Sequence, residues 1–283
     1  MLEVQGQLVQ YTYLGGLLMT NNSTIFEGYF ILHNDKGIIA KSRFIDGDIH
    51  VFGPDSDYTT LAVSAVNKLN LTKDISEFAM DENIDADVMQ VSGYLSNQKA
   101  EWKIICHPKS AELCITKDSY WDYQFDGFTI ESEFIKSIQD AWIVEGVSVS
   151  QGAYVSDQTY TISSDARIKM TSQKIDGEII WPPREFPHKS SEISRTQLIK
   201  SGVVESWTTL AAGGAPSEFS IRAPILGGIS TVFVKLNEGP KGVFLVVDDN
   251  DDEILIGAGV KLVLRKIYAQ NNVVRYGLKA IIQ

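Results

Sequence analysis

Cys106, His107 and Cys114 are the residues in this chain that most resemble a reactive cluster. The stretch His107-Pro108-Lys109-Ser110-Ala111 reads as a hairpin turn, which would let the two sulfurs face each other across paired strands. Adjacent Cys106 and His107 on a strand would point to opposite faces, which argues against a shared metal. Two reduced, buried thiols are therefore the expectation. His33, His50, His107 and His188 show no ligand spacing such as His-Glu-x-x-His. Asp248-Asp249-Asn250-Asp251-Asp252-Glu253 begins like a calcium loop, but Glu253 and Gly259 stand where an EF-hand needs Gly and Glu. It reads instead as a solvated acidic turn. Pairs such as Glu131/Glu133 and Asp85/Asp87 are what an acidic segment supplies by chance. No Gly-x-Ser-x-Gly, phosphate loop or dinucleotide fingerprint occurs. The sequence therefore predicts no catalytic residue, no metal and no resident cofactor.

Charge divides the chain. Residues 1–160 hold 23 acidic and 10 basic side chains, whereas residues 161–283 hold 13 and 15. An acidic first half repels a phosphate backbone, and the second half has no basic stripe, so nucleic acid is not the expected partner. No apolar run is long enough to span a membrane, and the first residues lack the basic start and apolar core of a signal peptide. A cytoplasmic location is expected.

The elements that must position these residues follow from periodicity. In the first half, Phe26 to Leu32, Gly37 to Phe44, Ile49 to Phe52, Val88 to Leu95, Trp102 to Cys106 and Leu113 to Thr116 read as strands. Leu61, Ala62, Ala65, Val66 and Leu69 predict a helix over 59–71, and Phe134, Ile135, Ile138 and Trp142 a second. A Ser-, Gly-, Gln- and Thr-rich stretch between Ser148 and Ser164 marks a boundary. The second half reads as five strands: Val203 to Leu210, Ser230 to Leu236, Gly242 to Val247, Val260 to Tyr268 and Val273 to Ile282. One long connection, 211–229, suits a partly open five-stranded barrel, and Gly202 would permit its sharp coil.

An ordered series of motifs runs through this second half: Trp181-Pro182-Pro183-Arg184, Ser201-Gly202-Val203-Val204-Glu205-Ser206-Trp207-Thr208, Gly213-Gly214-Ala215-Pro216-Ser217-Glu218-Phe219, Glu238-Gly239-Pro240-Lys241-Gly242, Leu264-Arg265-Lys266-Ile267-Tyr268 and Arg275-Tyr276-Gly277. The series resembles the zinc-ribbon/OB-fold proteins that accompany thiolases and hydroxymethylglutaryl-CoA synthases, chiefly in archaea. The resemblance implies a mainly β chain with α+β character. An α+β domain over 1–150 would precede a ribbon-like segment over 160–195 and a five-stranded OB-fold over 196–283. Relatives carry four zinc cysteines around the aromatic-Pro-Pro-Arg strand. Here Gln173, Asp176, Phe186 and Lys189 fall at those places, so a tetrahedral zinc site is not available. A ribbon without its metal needs other support. Trp181 and Phe186 are expected to anchor it against the N-terminal domain.

The resemblance further implies a non-catalytic subunit that bridges a thiolase and a hydroxymethylglutaryl-CoA synthase, or a related thiolase-superfamily enzyme, in mevalonate-type metabolism. Candidate partner or CoA contacts are Trp181, Arg184, Trp207, Gly213, Gly214, Pro216, Ser217, Glu218, Phe219 and Arg222. Composition alone makes the Gly213–Phe219 segment a flexible surface loop; the resemblance makes it a docking loop, in which Pro216-Ser217-Glu218-Phe219 should be replaceable with Gly and Ser at almost unchanged melting temperature. Arg265, Lys266, Arg275 and Lys279 would keep a sheet edge soluble, or form a basic patch for a CoA phosphate with Arg184 and Arg222. The alternatives are an OB-fold nucleic-acid-binding protein, or an acyl-CoA- or lipid-binding protein acting through its first domain.

Overall fold

A computed structural model describes residues 23–148, 166–184 and 193–283. The chain is mainly β with α+β character. It divides into two compact units, Met1–Trp142 with Ile225–Gly227, and Ile143–Pro224 with Gly228–Gln283. No described helix is long and apolar enough to cross a membrane.

The first unit opens with β1 (Ser23–Phe26), β2 (Tyr29–Asn34), β3 (Gly37–Ser42), β4 (Phe44–Asp46) and β5 (Ile49–Val51). The single strand expected over 26–32 is thus a hairpin. Glu27 and Gly28 adopt φ of 51° and 85°, which a continuous strand cannot contain. Helix α1 (Tyr58–Leu69) follows; Asp57 accepts from the Thr60 amide while Thr60 reaches back to the Asp57 amide. Its buried Leu61, Ala62, Ala65, Val66 and Leu69 form the predicted apolar face. After β6 (Glu77–Met80) the chain forms α2 (Ala86–Ser92), where a strand was expected over 88–95. Both ends explain the difference. Asp85 accepts from the amides of Asp87 and Val88, and Gly93 closes the helix at φ 107°. These caps and the burial of Val88 and Met89 prevail over β-branched composition.

Then come β7 (Leu95–Ser96), β8 (Lys103–Cys106), β9 (Glu112–Thr116), β10 (Phe128–Thr129) and α3 (Ser132–Ser148). The main sheet runs β1-β2-β3-β9-β8-β6-β7, and β10, β4 and β5 form a smaller one. Register settles the cysteines: Cys106 pairs with Leu113, and Cys114 with Ile105. One step out of register puts the two sulfurs on opposite faces, so they do not face each other. Both are buried free thiols.

The second unit holds β11 (Thr171–Ile175), β12 (Glu178–Ile180) and β13 (Ile193–Gln197), ordered β12-β11-β13. It continues with β14 (Ser201–Leu210), β15 (Ile229–Leu236), β16 (Lys241–Leu245), β17 (Gly259–Gln270) and β18 (Val273–Ile282). These five pair in the order β16-β15-β14-β17-β18. Among the described residues, one isolated parallel bridge, Val246 to Ala280, links the two ends of that order. The sheet is therefore curled but not laddered shut. Val204, Val232, Val234, Leu262, Leu278 and Ala280 fill its interior. Each such Val or Leu side chain contributes roughly 1.5–3 kcal/mol by leaving water. Gly202 answers to crowding, since a Cβ there would stand 2.3 Å from the Lys235 carbonyl oxygen.

Candidate functional site

Trp181 follows β12, and the peptide joining it to Pro182 is cis. Its indole stacks on Phe244, with ring centroids 5.8 Å apart and planes 18° apart. The indole Nε1 donates to the Ala166 carbonyl at 2.8 Å. Gly242 makes the close approach feasible, because a Cβ there would lie 2.6 Å from the indole ring. Trp181 thus anchors the ribbon-like sheet on the five-stranded sheet, within the second unit. Phe244 offers the indole a flat aromatic partner in the same unit.

The Gln173 side chain accepts from the Arg184 amide at 3.0 Å. This hydrogen bond ties β11 to the segment that follows β12. Asp176 and Gly177 form the turn between β11 and β12, at φ 48° and 90°. Phe186 and Lys189 lie outside the described residues.

Beside Trp181 opens a cleft of about 510 Å³. Pro216, Phe219 and Phe244 line it together with Tyr268 and Tyr276 from the last two strands. Arg167 and Lys241, both exposed, stand among the lining residues with the buried Glu218, and Lys241 pairs with Glu205 at 2.8 Å. Apolar walls with a few charged groups suit an amphipathic ligand that carries an anionic end.

Against Phe219 lies a buried ion network. The Arg222 guanidinium donates to Glu145 at 2.8 Å, to Asp248 at 3.1 Å and to the Ile267 carbonyl at 2.7 Å. Lys279 donates to the other Asp248 oxygen at 2.5 Å. Arg222 is 1% exposed and sits under the Phe219 ring at 5.6 Å. Burial raises the Glu145 carboxyl above its ordinary value, while Arg222 pulls it down. Two cations and two anions balance, which is how such burial becomes tolerable.

This network corrects several sequence expectations. Arg222 is no surface contact, and Arg265 and Lys279, each 1% exposed, leave no basic patch on that face. Asp248 is a buried counter-ion, because two cations claim it, so the acidic turn is solvated only in part. The docking loop is split. Gly213 and Gly214 are exposed, whereas Glu218 and Phe219 are 2% and 8% exposed and packed inward. Trp207 is 49% exposed on β14 and Arg184 is exposed, and neither lines the cleft.

The chain matches no protein-family model and no curated protein. Among solved structures, a chain titled "Ltp2-ChsH2(DUF35) aldolase" is similar over 46% of this chain and 98% of its own length. The identity is 20% and the TM-score 0.32.

Of the candidates read from sequence, the fold brings Trp181, Pro216, Glu218 and Phe219 to one cleft. It adds Arg167, Lys241, Phe244, Tyr268 and Tyr276, which sequence reasoning missed. The two tyrosines were legible in Arg265-Lys266-Ile267-Tyr268 and Arg275-Tyr276-Gly277, where the flanking cations drew the reading instead.

Proposed function

We propose that the chain is a non-catalytic accessory subunit for a thiolase-superfamily enzyme, with a thiolase and a hydroxymethylglutaryl-CoA synthase as the partner pair. The observation that carries this reading is that motif residues far apart in sequence, Trp181 and Pro216, Glu218 and Phe219, line one largely apolar cleft. On this reading the five-stranded sheet is a partly open OB-type barrel, with the zinc-free ribbon as its appendage. The proposed division follows, with an α+β domain over 1–150, the ribbon over 160–195 and the barrel over 196–283. The exposed Trp207, Arg184 and Gly213-Gly214 serve as partner contacts, and the cleft receives the acyl or pantetheine arm of a CoA thioester shared with the partner.

Condensation of two acetyl-CoA molecules is uphill, and the following synthase step is favourable. Holding both enzymes together raises the local concentration of acetoacetyl-CoA without new chemistry. The test is a coupled assay of thiolase and synthase from the same organism. Adding the chain should raise the flux at low enzyme concentration, while the chain alone turns over neither acetyl-CoA nor acetoacetyl-CoA. An unchanged flux, or turnover by the repurified chain alone, contradicts the proposal.

A further inference from the structure

The outer face of the five-stranded sheet carries an apolar patch. Val204, Val232, Val234 and Phe244 are buried in the interior, so Val203, Phe233, Lys235, Lys241 and Val243, their neighbours in the strands, share the opposite face. Phe233 stands directly across from Val243, and Val203 from Lys235. Val203, Phe233 and Val243 are 41%, 36% and 69% exposed. Beside β14 a tight turn adds two more apolar side chains. The Gly257 amide donates to the Val204 carbonyl at 2.8 Å, and the Ala258 amide to the Leu255 carbonyl at 3.2 Å. Gly257 permits the turn with φ 88°. So held, the turn leaves Leu255 54% and Ile256 74% exposed. Large apolar side chains gathered in this way mark an interaction surface.

Charge is polarised across the patch. Asp252 and Glu253 lie exposed at the turn, and neither carboxylate has an ion-pair or hydrogen-bond partner among the described residues. On β15 the exposed Lys235 ammonium is likewise without a partner among them. Lys241 is matched by Glu205 at 2.8 Å, and Lys261 on β17 is already engaged. One end is thus acidic, the other basic, with the apolar side chains between.

We infer that this patch is the interface of a two-fold dimer, its occupant the same patch of a second copy of the chain. A two-fold axis through the apolar centre brings Asp252 and Glu253 of each copy toward Lys235 of the other. The apolar side chains cover one another, and charges without partners in one chain find them in the next. Trp207 pairs with the buried Val232 and so lies on the other face of the sheet, outside the patch. The dimer therefore goes beyond the accessory role and does not depend on it.

The test is sedimentation velocity of the full chain over a micromolar concentration series. A reversible step from one chain to two is expected. Lys235→Glu and Glu253→Lys should each weaken the dimer at least about tenfold by setting like charges together. The two combined exchange the ends, and the dimer should return. Leu255→Ser with Ile256→Ser should abolish it while the circular-dichroism spectrum is kept, since both side chains are exposed. Ile143→Ser with Val147→Ser, which alters exposed apolar side chains on α3, should leave it unchanged. A chain that stays monomeric throughout the series overturns the inference, as does growth past two copies. It is equally overturned if the combined charge exchange fails to restore the dimer, or if the α3 pair dissolves it and the turn pair does not.

Discussion

Arg222 and Glu145 lie 77 positions apart in sequence and meet at 2.8 Å, side chains 1% and 0% exposed. The contact joins the C-terminal turn of α3 to the long connection between β14 and β15, and it holds Phe219 in place from beneath. Removing one partner of a buried pair leaves the other uncompensated, which costs about 3–5 kcal/mol. Arg222→Ala should therefore lower the melting temperature steeply, while Arg222→Met with Glu145→Leu recovers much of the loss. Thermal unfolding of both variants decides this. A near-silent Arg222→Ala would show that the network is not a structural tie.

The Gly213–Phe219 loop is expected to behave as two parts. A Cβ at Gly213 or Gly214 meets nothing within 4 Å, so changing both to Ser leaves the fold intact. Changing Phe219 to Ser removes a buried ring and should cost about 3 kcal/mol. Melting curves that separate the two variants support this division; equal curves contradict it.

Both thiols should be inert in the folded chain. Burial pushes Cys114 up to about 11 and Cys106 higher still, so little thiolate exists at neutral pH. A disulfide-exchange reagent should label neither until the chain unfolds. Rapid labelling of native protein by one equivalent would contradict this.

Glu112 gives the first unit an acid-sensitive staple. Burial alone would raise its carboxyl, but hydrogen bonds from Lys41 and Tyr120, with the Lys41 charge, hold it below the ordinary 4.5. A depressed folded value means that the stabilisation is present above 4.5 and is lost as pH falls through the folded value. Wild type should lose stability over that acid window. Glu112→Gln, already weakened at neutral pH, should show a shallower slope there. Equal slopes would remove Glu112 from the account.

How much of this was legible depended on the range of the interaction. The last five strands were readable because Val203 to Leu210 and Val273 to Ile282 carry their pattern locally. Val88 to Leu95 misled because composition said strand while the deciding signals, Asp85 and Gly93, lay at the ends. The ion network was hidden because Glu145, Arg222, Asp248 and Lys279 converge only in the folded chain. A buried arginine looks in sequence like a surface one. The cleft was half legible: Trp181, Pro216 and Lys241 stood in motifs, while Phe244 joined them only through the pairing of β15 with β16.

Light scattering on a size-exclusion column tests the proposed association with a thiolase-type enzyme most directly. The chain, co-expressed with the thiolase and synthase of its own organism, should elute in one peak whose mass exceeds that of any component alone. Trp207→Ala with Arg184→Ala should split that peak while the chain's melting temperature is kept. Separate elution of the wild-type chain from both enzymes, at micromolar concentrations, would contradict the account.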